Sequence, residues 1–127
     1  MMTGRTLLLA TLSTVMAALP VSARPMGRDY PGCDLAQQHR LRAPTGGKVR
    51  DPRQAHVAMR ANILEADIGN ARKARRLSQA EAQALWHDVE RVRHDADRFV
   101  ARQGFLSAGE TASHDRALDR VAVRLCQ

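Results

Sequence analysis

The stretches Leu77-Ser78-Gln79-Ala80-Glu81 and Leu106-Ser107-Ala108-Gly109-Glu110 decide the fold of this chain. In each, a serine hydroxyl stands ready to accept from an unpaired first-turn amide. The glutamate three residues on can reach back to the serine N–H, a reciprocal pattern that marks a helix start. Asp51-Pro52-Arg53-Gln54 offers a third start of the same kind, with proline at the one helical position that needs no donor. Beyond Pro52 no proline occurs, and Ala, Arg, Glu, Gln and Leu dominate, the composition of helices. Gly104 is the expected left-handed stop ahead of the last start. Helices are predicted over about 52–74, 79–103 and 108–125, which places the helical domain at 51–127.

The apolar spacing agrees. Ala82, Leu85, Val89, Val92, Ala96 and Phe99 recur in steps of three and four, a stripe widened by Trp86 and Val100. Leu118, Val121 and Leu125, flanked by Ala117 and Ala122, form the stripe of the last helix. The helix after Asp51 is weaker, a narrow line of Val57, Ala61, Leu64, Ile68 and Ala71 with Met59 and Ile63 beside it. The second and third helices also repeat one another at a fixed spacing, Ser78 on Ser107, Glu81 on Glu110, Val89 on Leu118, Arg91 on Arg120 and Val92 on Val121. Short connections make sequential helices antiparallel, so the expected fold is all-α: a small up-down-up three-helix bundle or an extended helical hairpin.

Upstream, residues 24–50 are crowded with Pro25, Gly27, Pro31, Gly32, Pro44, Gly46 and Gly47, which predicts an irregular segment with at most one helical turn around Leu35 to Arg40. Residues 1–23 read as a secretory signal peptide. Arg5 precedes an uncharged apolar run from Leu7 to Leu19, too short to span a bilayer comfortably; Pro20 follows, and Val21-Ser22-Ala23 supplies small residues for cleavage after Ala23. The expected location is periplasmic or secreted, with no transmembrane segment after cleavage. The chain carries 20 Lys and Arg against 13 Asp and Glu, net +7, and leader loss removes only Arg5. An exported basic protein meets anionic envelope polymers, lipid head groups or protein partners rather than nucleic acid. With one Trp, one Tyr and two Phe it also lacks the stacking platforms of a single-strand binder.

Cys33 and Cys126 are the only cysteines, and an oxidising compartment favours their pairing. Within one chain the bridge would staple the irregular segment to the end of the last helix; an intermolecular bridge is the alternative. No Cys-x-x-Cys spacing and no basic neighbour suggests a reactive thiol.

Two surface clusters are candidate sites. Arg72, Lys73, Arg75 and Arg76 close the first helix, where positive charge complements the helix terminus and also makes a patch for phosphate-rich components or an acidic partner. His87, Glu90 and His94 share one face of the second helix at spacings that suit a transition metal, with Asp97 at its edge, although Arg91 and Arg98 crowd the same surface. His114 aligns with Leu85 in the repeat and is expected to point inward as a partly buried, hydrogen-bonded histidine. The run from Gly104 to Glu110 has the outline of a calcium-loop exit, but Phe99, Ala101 and Gln103 stand at the earlier ligand positions, as do Asn70, Arg72 and Ala74 in the first copy. There is no Gly-x-Ser-x-Gly elbow, no Cys and His pair and no Gly-rich phosphate loop, so neither enzymatic activity nor a cofactor is expected.

The repeated Leu-Ser-x-x-Glu starts, in an Arg- and Ala-rich helical chain behind a leader, resemble small exported proteobacterial helical proteins of unknown function that repeat Gly-x-Leu-Thr/Ser-x-x-Glu. More distantly they are similar to the Spy and CpxP type of periplasmic chaperones, whose helices begin with Leu-Thr-x-x-Gln. The likeness covers roughly residues 70–125; Arg75 stands where the first copy would carry Gly, and Glu replaces Gln in both copies. The resemblance implies a stress-related, chaperone-like role. The expectation is a non-enzymatic exported protein that binds a partner protein or anionic envelope component, with periplasmic transition-metal binding as the alternative.

Overall fold

A computed structural model describes residues 30–127, so the signal peptide expected over residues 1–23 lies outside the described residues. The protein is an all-α bundle. A single 3₁₀ turn, Pro31–Cys33, leads into the short helix α1, Leu35–His39, and three long helices follow: α2, Pro52–Lys73; α3, Gln79–Gln103; and α4, Ala108–Leu125. All three long helices pack against one another, which selects the bundle over the extended hairpin. Among the described residues no helix is long and apolar enough to cross a membrane.

The starts of α3 and α4 are reciprocal capping boxes. Glu81 N–H donates to Ser78 Oγ and Ser78 N–H to Glu81 Oε2, and Ser107 and Glu110 do the same at matching distances of 3.1 and 2.8 Å. The start of α2 is only half such a box. Asp51 Oδ2 accepts from Gln54 N–H at 2.8 Å, but the Gln54 side chain is buried and donates to Asp97 Oδ1 at 2.8 Å instead of turning back. Asp51 Oδ2 also accepts from Leu106 N–H at 3.3 Å, while Arg53 donates to Leu106 O at 3.1 Å. One cap thus holds the α3–α4 connection against the first turn of α2.

The core is the expected set of stripes: Val57, Ala61, Leu64, Ile68 and Ala71 from α2; Ala82, Leu85, Val89, Val92 and Ala96 from α3; Leu118, Val121, Ala122 and Leu125 from α4, with Leu106 fully enclosed between α3 and α4. Trp86 corrects the expectation. It does not widen the α3 stripe but stands 44 % exposed.

The N-terminal segment is part of the bundle. A Cys33–Cys126 disulfide joins it to the end of α4 across a sequence separation of 93 residues, with a Cα–Cα distance of 6.0 Å. Closing so long a loop stabilises by about 4–5 kcal/mol in the chain-entropy model. On α2 the approach is closer still. Gly32 N–H donates to Asp67 Oδ2 at 2.7 Å inside the protein, and a Cβ on Gly32 would lie 2.7 Å from that oxygen and 2.8 Å from Leu64 Cδ2. Gly32 reads in the sequence as a turn former; its structural job is to let the segment seat against the Asp67 and Leu64 side chains of α2. Gly32→Ala is expected to lower stability by about 1–3 kcal/mol, measured by urea unfolding of the oxidised protein, with an unchanged midpoint contradicting the contact.

Candidate functional site

The most heavily coupled polar cluster is one that sequence spacing did not single out. Arg60 on α2 is completely buried, and its guanidinium bridges two carboxylates one turn apart on α4: Nη1 donates to Asp115 Oδ1 at 2.6 Å and Nη2 to Asp119 Oδ1 at 2.7 Å. One turn earlier on α2, His56 lies 2.9 Å from Asp115 Oδ1 through Nε2 and 2.8 Å from Leu41 O through Nδ1. His39 of α1 meets Asp119 through Nε2 at 2.8 Å. The cluster therefore clamps α1 and the strand of chain after it onto α2 and α4.

Both partners of His56 accept hydrogen bonds and neither donates, because Asp115 is already taken as an acceptor by Arg60. Filling both contacts requires a proton on each ring nitrogen, so His56 is held as an imidazolium. Its pKa is raised, chiefly by the bond to Asp115 and against the opposing effect of burial. Burial pushes Asp115 upward, but the hydrogen bonds from His56 and Arg60 outweigh it and hold the carboxyl below its ordinary range. With both nitrogens of His56 engaged, no lone pair remains for general-base chemistry. A cleft of about 760 Å³ opens beside the cluster, lined by His39, Arg42, Arg53, His56 and Thr111 among others, but the clamp itself is structural: removal of Arg60 would leave two carboxylates facing each other at a largely dry contact.

His114 does point inward, as expected, yet not as a hydrogen-bonded histidine. Its Nε2 is buried without a hydrogen-bond partner among the described residues, and its ring packs edge-on against Phe99 with centroids 5.9 Å apart. Asp95 on the facing turn of α3 lies near enough to act on the ring electrostatically but makes no hydrogen bond to it. Burial lowers the His114 pKa, the reverse of His56.

Of the proposed metal face, Glu90 and His94 come within 3.6 Å of each other, but Glu90 also accepts from Arg93 Nε at 3.1 Å. His87 instead sets its ring edge-on to Trp86, 5.6 Å away, and Asp97 is engaged by Gln54. Among the described residues no three His, Cys, Asp or Glu side chains form a group able to hold a metal ion.

The basic cluster is brought together on the elbow between α2 and α3. Arg72, Lys73, Arg75 and Arg76 are all exposed and, with Leu77, Ser78, Gln79 and Glu81, border a shallow cleft of about 570 Å³. Arg72 Nε donates to Gln79 Oε1, a neutral acceptor, and the Arg76 guanidinium lies 5.6 Å above the Tyr30 ring. Arg76 N–H donates to Ala71 O and Arg75 N–H to Arg72 O, the paired bonds of a helix ending whose turning residue must be left-handed. Arg75 has φ 60°, the one positive φ at a non-glycine among the described residues, at the position that Gly104, φ 88°, occupies in the second copy. A side chain there costs on the order of 1 kcal/mol that glycine would not.

Comparison of the chain with protein-family models, with curated proteins and with solved structures returns no match.

The two buried histidines make opposite demands on pH. His56, raised, contributes stability that is full below its ordinary 6.5 and is lost as pH rises through its higher folded value. His114, lowered, contributes stability present above 6.5 and lost as pH falls through its folded value. Unfolding free energy is expected to peak near neutrality and fall on both sides. His56→Gln should flatten the alkaline limb alone, and an unaltered alkaline limb in that variant would contradict the imidazolium assignment.

Proposed function

We propose that the protein is a non-enzymatic, exported binding protein whose α2–α3 elbow engages an anionic partner, either an acidic surface of a client protein in a chaperone-like role or an anionic envelope polymer. The observation that carries the reading is Arg75. A cation is retained in a left-handed position where glycine would be more stable, inside a cluster of exposed cations, and strain of that kind at a surface points to a role for the side chain rather than for the fold. No carboxylate among the described residues pairs with Arg72, Lys73 or Arg75, and Glu81, the one acid bordering the cleft, is engaged by the Ser78 amide. The elbow therefore presents net positive charge in a mixed-charge molecule.

The test is titration with inorganic polyphosphate as a soluble polyanion, with suppression of aggregation of an acidic client as a parallel readout. Binding should weaken with salt and be lost in Arg72→Glu/Lys73→Glu/Arg75→Glu. Arg75→Gly is expected to raise stability by about 1 kcal/mol while weakening binding. If the triple reversal binds and protects as well as the parent, the elbow is not the site.

A further inference from the structure

Next to the basic elbow lies the only tryptophan of the chain. Trp86 is 44 % exposed two turns into α3, about 10 Å along the axis from Gln79 at 1.5 Å per residue. It borders an open groove of about 450 Å³ between α2 and α3, with Ile68, Gly69, Ala82 and Gln83. Arg72 and Gln79 line this groove and the elbow cleft alike, so the aromatic and cationic surfaces are continuous. Among the described residues the other large exposed apolar side chains stand elsewhere, Phe105 beyond the far end of α3 and Val123 near the end of α4.

The chemistry of this continuous surface is specific. From Gln79 to His87 the exposed residues of α3 are Gln79, Ala80, Glu81, Gln83, Ala84, Trp86 and His87. The single acid among them serves as the helix cap. Glu65, across the groove, is paired with Arg93 at 2.9 Å. Pressing this edge against an apolar layer therefore desolvates little uncompensated charge. A phospholipid boundary rewards an indole beside a cation cluster directly. Indole settles at the head-group level, with its ring toward the acyl chains and its N–H toward water, while nearby Lys and Arg are drawn to anionic head groups.

We infer that the α2–α3 elbow docks on an anionic phospholipid surface, with Arg72, Lys73 and Arg75 on the head groups and Trp86 seated at the boundary beneath them. The inference rests on the polyanion-binding reading of the elbow and names its target. No helix inserts; the bundle lies against the surface by its α2–α3 edge, and binding is reversible and sensitive to salt.

Because Trp86 is the sole tryptophan, its fluorescence reports the proposed contact without labelling. The full, oxidised chain is mixed with vesicles of phosphatidylglycerol and phosphatidylcholine, with vesicles of phosphatidylcholine alone, and with polyphosphate. The expected result is a blue shift of Trp86 emission and quenching by lipids brominated in the acyl chain, seen with phosphatidylglycerol only. Partitioning should fall by at least about tenfold in Arg72→Glu/Lys73→Glu, and Trp86→Ala, followed by vesicle sedimentation, should weaken it while circular dichroism shows the helices intact. Polyphosphate binding without any vesicle-induced shift overturns the lipid inference and leaves the polyanion reading standing. Absence of binding to either overturns both. An equal shift on uncharged vesicles, or a shift produced by an acidic client protein but not by phosphatidylglycerol, also overturns the inference.

Discussion

The bundle depends on a buried arginine that ties α2 to α4 and whose two carboxylate partners reach on to α1 and, through His56, to the turn after it. Arg60 is fully enclosed, and a guanidinium withdrawn from water is tolerated only where its donors meet acceptors of opposite charge. Asp115 and Asp119 meet that requirement because their spacing places both on one face of α4. Their remaining acceptor capacity is what recruits His56 and His39. The position of α1 and the turn after it thus follows from satisfying one charge. The disulfide at the end of α4 fixes the same segment from its other side.

This constraint explains why α2 is the least legible helix in the sequence. A helix with one buried face shows a clean stripe, as α3 and α4 do. α2 is covered on more than one side: α3 and α4 cover its apolar line and also meet the buried Gln54 and Arg60 through Asp97, Asp115 and Asp119, while the N-terminal segment meets the buried His56 and Asp67 through Leu41 and Gly32. Polar residues that find partners inside the protein look, in a one-dimensional pattern, like residues facing water. The pairs His56 with Arg60 and Asp115 with Asp119 read as ordinary solvated spacings, and only their meeting across two helices gives them meaning. The half-formed box at Asp51 fails for a related reason, since Gln54 is drawn inward by Asp97, which is distant in sequence.

What local chemistry dictates was readable. The serine caps, the left-handed stop at Gly104, the stripes of α3 and α4 and the pairing of Cys33 with Cys126 each depend on neighbours in sequence or on compartment. The repeat extends to the backbone: Arg75 differs in residue type from Gly104, which aligns with it in the second copy, yet shares its positive φ. Of the candidate sites, the four basic residues are gathered on one elbow; Glu90 and His94 meet each other, and His87 sets its ring against Trp86. Trp86 reads as a widening of the core stripe because its spacing sits at the stripe's margin, where a few tens of degrees decide between interior and surface. The same margin leaves the chain's one indole exposed beside its basic elbow, and that juxtaposition is the source of the lipid-docking inference.

The segment before α2 is an integral layer of the bundle rather than a loose tail. The Gly32 amide reports on it directly, because that N–H is buried against Asp67 and exchanges with solvent only when the segment lifts. In the oxidised protein, amide hydrogen exchange at Gly32 should be slowed to within about tenfold of the core amides of α2, in keeping with one cooperative unit. Exchange at the rate of an exposed loop, with α2 still protected, would contradict the account.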